Sequence, residues 1–319
     1  MVPDPLIILS PPRSFSSVIS TMLGEHPELY GFPELHVFAV RTVTALLERE
    51  AGKGNYSGPP GLLRALAQLH EGRQTTGGIL RAGLWLNARR DWTIKALLDD
   101  LLAKVAPRIG IEKSPVNCMN MAFLANVQRC YPRARYVHLT RHPVATRASM
   151  QSFFHQAKTL RARGAGGTTL GFDHLLLWYR MHRNILEFTA PMPDSQVLRI
   201  KGEQLLSEPD RYLPQIAEWL GVRTDASAIA AMKHPERSPY ACIGPSPARG
   251  GNDSKFMHNP RLRTGQVQEP RLADLLAASP LPWLSSEGHQ MLTAARLKMV
   301  EDDVMTNEVL GLTRRLGYQ

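Results

Sequence analysis

Four groups of residues in this chain are of types that could do chemistry. The first is Ser10-Pro-Pro-Arg-Ser-Phe-Ser-Ser17. Ser14, Ser16 and Ser17 offer hydroxyl donors, and Arg13 offers a planar fork of charge that suits an oxyanion. The second is Thr140-Arg141, with Ser149 eight residues after the arginine. The third is Tyr30-Gly-Phe-Pro-Glu-Leu-His-Val-Phe38, where Glu34 and His36 are two candidate proton acceptors. The fourth is Glu112-Lys-Ser-Pro115, which carries Lys113. Together they describe an anion cradle with a base nearby.

The elements that must position these groups follow from patterning. Leu6 to Leu9 is a continuous apolar run closed by Ser10-Pro-Pro12, which reads as a buried parallel strand. Ser16 to Gly24 carries Val18, Ile19, Met22 and Leu23 on one helical face. A strand running into a helix through a short loop aims backbone N–H groups and the positive helix end at one point, which is an anion site. Arg108 to Ile111, Arg135 to Thr140 and Gln196 to Ile200 read as further strands, and Pro209 to Leu220 as a helix stopped by Gly221. Glu34 to Glu50, Leu62 to His70, Ile79 to Val105, Phe172 to Phe188 and Ser286 to about Asp302 read as helices. Arg161 to Gly171 reads as a mobile loop, and Pro235 to Val267 as a long ordered one. Strands separated by helices imply an α/β fold with a parallel sheet and right-handed crossovers. Ligands in such sheets bind beyond the carboxyl ends of the strands. The loops after Leu9, Ile111, Thr140 and Ile200 should therefore share one rim.

A nucleoside-triphosphate loop needs two glycines, a lysine and a nearby acidic residue for magnesium. This loop has neither glycine nor the lysine, and the strand ending at Thr140 continues into Arg141 and not an aspartate. A sulfuryl group carries less charge than a terminal phosphoryl group. Arginine, serine and backbone dipoles can therefore support its transfer without a metal.

Pro12-Arg-Ser-Phe-Ser-Ser17 resembles the phosphosulfate loop of sulfotransferases that use 3′-phosphoadenosine 5′-phosphosulfate, whose usual form is Pro-Arg-Ser-Gly followed by two Ser or Thr residues. Arg141, Pro143 and Ser149 match that family's 3′-phosphate motif. Glu203-Gln-Leu-Leu-Ser-Glu-Pro209 and Leu220-Gly221 resemble two later family segments. The resemblance spans about residues 6 to 221 and is strongest toward bacterial natural-product and polyketide-synthase sulfotransferase domains, through Ile-Leu-Ser-Pro-Pro-Arg-Ser and Pro-Glu-Leu-His. It implies a three-layer P-loop-like sheet flanked by helices, with helical insertions on the acceptor side. It also implies one sulfotransferase domain over 1–319, with a core of about 1–221 and a nucleotide-covering part of about 222–319.

The resemblance also implies roles. Arg13, Ser14, Phe15, Ser16 and Ser17 would hold the phosphosulfate, and Arg141 and Ser149 the 3′-phosphate. Arg249 and Asn252 would lie in the covering loop. Arg13 would stabilise the leaving oxygen. Glu34 lies 21 residues after Arg13, as the catalytic glutamate does in protein-tyrosine sulfotransferases, and would be the base. His36 is the second candidate for that role. Lys113 resembles a lysine that approaches the sulfate, and His258 a histidine of the late loop. The residue types leave blander readings open: a helix-terminal carboxylate for Glu34, a surface salt bridge for Arg141, a solvated lysine for Lys113, a structural role for His26.

Two residues depart from the pattern. Phe15 stands at the family's glycine, and a phenylalanine tolerates positive φ poorly. Gly202 stands where many relatives have a tyrosine near the adenine. The two favour an alternative reading, a nucleotide-binding adaptor that has lost catalysis.

The formal net charge of +10 suits a polyanionic donor and an acidic carrier protein. There is no basic run of five and no interleaving of basic and aromatic residues, so nucleic acid is not the expected partner. No apolar stretch approaches a membrane span and no signal peptide is evident, which sets the expected location as the cytoplasm. Three cysteines without metal-binding spacing are expected as free thiols. The expected acceptor is a small molecule, free or tethered to an acyl-carrier protein. It is sulfated on a hydroxyl or, alternatively, an amine, without metal. Leu84, Trp85, Phe153, Phe154 and Trp178 could line its pocket or fill the core.

Overall fold

A computed structural model describes residues 2–52, 54, 57–161, 174–263, 265–271 and 302–319. Five parallel strands, β1 (Leu6–Leu9), β2 (Leu29–Gly31), β3 (Ile109–Glu112), β4 (Arg135–Thr140) and β5 (Val197–Lys201), form one sheet in the order β2-β3-β1-β4-β5. All four residues of β1, the central strand, are fully buried, as a continuous apolar run requires.

Strand periodicity divides β1 between two layers. Ile7 and Leu9 enter one apolar cluster. It holds residues of α2 (Val43–Ala51), α3 (Pro60–Glu71), α4 (Thr76–Asn87), α5 (Ile94–Val105) and α6 (Met121–Cys130). Leu6 and Ile8 enter the other. That one holds residues of α1 (Ser16–Gly24), α9 (Gly202–Ser207), α10 (Pro209–Leu220) and α11 (Ala226–Ala231). Each such fully buried side chain contributes about 2 kcal/mol. The architecture is thus α/β in three layers, as the sequence implies. A third cluster joins α8 (His174–Thr189) to α13 (Asp302–Arg315) through Trp178, Tyr179, Val309 and Leu312. Two elements complete the described helices: α7 (Pro143–Arg161) and α12 (Ser254–His258). Among the described residues no helix is long and apolar enough to cross a membrane.

Several expectations need correction. The segment from Glu34 is not the start of a helix: α2 begins at Val43, where Thr42 accepts a hydrogen bond from the Ala45 amide at 3.2 Å. His36 adopts a positive φ of 57°, which no helix can absorb. The helix expected over Ile79–Val105 is two helices, with Thr93 capping the second. The strand Leu29–Gly31 was not expected at all. Arg161 is the last residue of α7, and the rest of the loop expected at 161–171 lies outside the described residues, as do the first two residues of the helix at 172–188 and most of the one at 286–302. The described part of the expected loop from Pro235 to Val267, all but residue 264, carries α12 and a short 3-10 turn at Pro235–Arg237.

That loop has an internal brace. Arg64 of α3 is fully buried. Its guanidinium donates to Gln74 Oε1 (2.6 Å), the Gly250 carbonyl (3.0 Å) and the Cys242 carbonyl (2.9 Å). Burial lowers its pKa, so the charge is held against a desolvation cost by these acceptors. Arg64→Met should leave the half-buried Gly250 carbonyl and Gln74 without their donor and cost about 1–3 kcal/mol, read as a lower urea midpoint at unchanged slope.

Candidate active site

The carboxyl ends of four strands deliver the residues singled out in the sequence. The loop from Ser10 follows β1, Glu34 and His36 follow β2, Lys113 follows β3 and Arg141 follows β4.

Lys113 is the meeting point. Its side chain is fully buried, so it is not a solvated lysine. Nζ donates to Ser17 Oγ at 2.8 Å and to Glu34 Oε1 at 3.0 Å. Glu34 Oε2 lies 3.2 Å from His36 Nε2. Burial opposes the charge on Glu34, but the Lys113 ammonium and His36 outweigh it and hold the carboxyl down at about 2. Neighbouring β3 fixes the loop: Ser114 Oγ accepts from the His36 amide at 2.9 Å and itself donates to Glu112. Glu112 also accepts from Asn117 Nδ2 at 2.7 Å, and burial raises its pKa. The His36 imidazole thus stands beside Glu34 on a strained backbone that a hydrogen bond secures.

Around β1 the loop is strained as well. Arg13 and Phe15 have φ of 65° and 64°, and with His36 they are the only non-glycine residues at positive φ among the described residues. Phe15 is the N-cap of α1 and gives no side-chain cap, which leaves the first-turn amides of α1 unclaimed by one. Arg13 Nε donates to Ser149 Oγ at 3.1 Å, and its Nη1 pairs with Asp253. The Asp253 amide donates to Ser17 Oγ at 3.0 Å. Arg141 Nη1 donates to the Arg13 carbonyl at 2.6 Å, and its guanidinium lies 4.1 Å from the centroid of Phe15. Arg141 is therefore built into the loop and makes no surface salt bridge among the described residues. Burial lowers its pKa.

Three buried polar atoms here, Ser10 Oγ, Ser14 Oγ and Arg141 Nε, have no partner among the described residues. Buried donors without acceptors are costly, and acceptor oxygens of an anionic ligand would satisfy them. The residues present thus fit an anionic donor.

Arg13, Ser14, Phe15, Ser16, Ser17, Glu34, His36, Lys113, Arg141 and Ser149 are brought together. His258 and Arg249 are not joined to the cluster: both are exposed, and His258 Nδ1 turns back on the Ser254 carbonyl at 2.6 Å. Asn252 instead holds the Tyr240 carbonyl at 3.0 Å. His26 is structural as read, contacting the Arg223 carbonyl at 2.8 Å. Two residues make contacts here that the sequence reading assigned to neither. Asp253 could have been found as an Asx cap before Ser254-Lys-Phe256. Glu203 accepts from the His142 amide at 2.8 Å and so braces the turn after β4. Of the five apolar residues named above, Trp178 is core and Leu84 is exposed. Trp85 packs on Trp92, and Phe153 lies under Arg13 at 5.3 Å. The Phe154 side chain lies outside the described residues.

A cavity of about 200 Å³ opens beside Glu34, lined also by His36, Glu50, Pro59, Pro60, Gly61 and Gly251. Glycine is required at Gly61, since a Cβ there would stand 2.1 Å from the Glu34 carbonyl oxygen.

The family model of the sulfotransferase family matches residues 5–226. The chain belongs to the sulfotransferase family and is an enzyme of that class. Its fold is similar to that of the sulfotransferase domain from the curacin biosynthetic pathway, at 22% identity over 93% of this chain and 99% of that one, with a TM-score of 0.65. It is likewise similar to the sulfotransferase domain from the Synechococcus PCC 7002 olefin synthase, at 25% identity over 94% and 99%, with a TM-score of 0.64. Natural-product sulfotransferase domains are thus the kind it resembles. A sequence search of curated proteins found no match.

The Glu34 ion pair has a pH signature. A carboxyl held below its ordinary value of 4.5 contributes stability that is complete above pH 4.5 and is lost as pH falls toward 2. Urea unfolding across that window should show wild-type stability falling with acid, and Glu34→Gln should show a shallower fall.

Proposed function

We propose that this sulfotransferase moves a sulfuryl group from 3′-phosphoadenosine 5′-phosphosulfate to a hydroxyl, with Glu34 as the base. The observation that carries the reading is the Lys113 ammonium shared between Ser17 Oγ and Glu34 Oε1. It sets a base and an anion loop on two sides of one cation. The donor supplies a sulfuryl group on a phosphate leaving group. Ser14, Ser16, Ser17 and the first-turn amides of α1 hold that end. Arg141 and Ser149 serve the 3′-phosphate.

An acceptor hydroxyl entering from the cavity beside Glu34 faces the loop in line. Glu34 takes its proton as the new S–O bond forms and the S–O bond to phosphate breaks. Arg13 and Lys113 stabilise the charge that develops on the leaving oxygen. When Lys113 turns from Glu34 toward that charge, only His36 still offsets the burial that opposes ionised Glu34, and the carboxylate becomes a stronger base. His36 orients the carboxylate. The similarity to domains from a biosynthetic pathway and an olefin synthase supports a natural-product acceptor, free or carrier-bound.

The adaptor reading rested on Phe15 and Gly202. Both are accounted for below by one packing arrangement, and family membership favours catalysis.

Thermal shift should show stabilisation by adenosine 3′,5′-bisphosphate without magnesium; stabilisation by ATP with magnesium alone would refute the donor assignment. Glu34→Gln should lower kcat by about 10²–10⁴-fold while bisphosphate affinity stays near wild type, and a fully active variant would move the base role to His36. Arg141→Ala should mainly raise the donor KM.

A further inference from the structure

Phe15 and Gly202 sit far apart in sequence and touch in space. A Cβ built on Gly202 would stand 2.6 Å from Phe15 Cδ2, 3.3 Å from the Thr140 carbonyl oxygen and 3.5 Å from Leu139 Cδ1. The ring therefore occupies the volume that a side chain at 202 would need, seated on the end of β4. Its centroid lies 4.1 Å from the Arg141 guanidinium carbon. Arg141 is held at two further points. Its carbonyl accepts from Trp178 Nε1 at 2.9 Å, and its Nη1 donates to the Arg13 carbonyl at 2.6 Å. Its Nε is left buried without a partner among the described residues.

Phe15 holds this place at a φ of 64°, where a bulky residue is strained. Such strain persists only when the surroundings over-determine the conformation. The seat over Gly202 and the cation on the ring are what over-determine it. We infer that Phe15 is a positioning residue for donor recognition: its ring, seated over Gly202, fixes the Arg141 guanidinium so that Nε stays directed at the donor's 3′-phosphate. The inference rests on the donor reading above. It turns the two departures from the family pattern into one unit, in which a ring on the loop requires a glycine at 202.

The test uses the full chain and two probes, adenosine 3′,5′-bisphosphate and adenosine 5′-monophosphate, with affinity by calorimetry and melting temperature without ligand. Phe15→Leu fills the seat but cannot hold a cation on a π face. It should keep the melting temperature near wild type, weaken the bisphosphate roughly tenfold and leave the monophosphate nearly unchanged. In turnover, donor KM should rise at unchanged kcat. Gly202→Ala should weaken the bisphosphate more when Phe15 is present than in a Phe15→Gly background, where the 2.6 Å contact with the ring is gone and the tightest one left is 3.3 Å, to the Thr140 carbonyl oxygen. Bisphosphate affinity in Phe15→Leu equal to wild type would overturn the inference. So would equal losses on both probes, or a Gly202→Ala penalty that is the same in both backgrounds. If Phe15→Leu fails to fold, the Gly202→Ala pair decides alone. Wild type that binds no bisphosphate would instead overturn the donor reading, a result distinguishable from all of these.

Discussion

A buried ammonium must be answered by partners, and the Lys113 ammonium organises this site. Taking it out of water costs several kcal/mol, which Ser17 Oγ and Glu34 Oε1 offset only if both arrive at fixed positions. Strand order meets that demand. β2, β3 and β1 are neighbours in the sheet, and their carboxyl ends lead to Glu34, Lys113 and Ser17 in the same order. One strand further, β4 leads to Arg141. The lateral sequence of strands is thus the lateral sequence of functional groups, from carboxylate through ammonium and hydroxyl to guanidinium.

The layers above the sheet lock that row in place. Gly61 of α3 lies against the Glu34 backbone, and Gly251 lies against Gly61 with a φ of 103°. The Gly251 carbonyl accepts from the Glu34 amide at 2.7 Å. Three segments remote in sequence meet there with no side chain between them. Arg64 ties the same late loop to α3, so the position of Glu34 depends on α3 and the late loop together.

Much of this was legible in the sequence where structure is local. β1, β4 and α10 follow from continuous apolar runs, an amphipathic face and a stopping glycine, and the structure gives them nearly the expected bounds. The rim follows from strand-helix alternation. Short β2 was not legible because three residues carry no period. The stretch from Glu34 does not form the expected helix: Leu35, Val37 and Phe38 are buried in the core from irregular backbone. What fixes that backbone is a hydrogen bond to Ser114, which no local pattern encodes. The burial of Lys113 was invisible for the same reason, since its partners come from other strands. Phe15 was visible as a conflict, but its resolution lies in Gly202.

Asp253 gives the cradle a further property. Its carboxylate pairs with Arg13, and its backbone amide holds Ser17, so the loop's leading cation is already neutralised. Glu34 does the same for Lys113. The site then behaves as an ion exchanger, not as a bare positive well. An anionic donor of the kind proposed would swap one anion for another at the same cations. What sets its affinity is the difference between two counter-ions, and a chain with a net charge of +10 can keep its most concentrated charges from capturing polyanions indiscriminately.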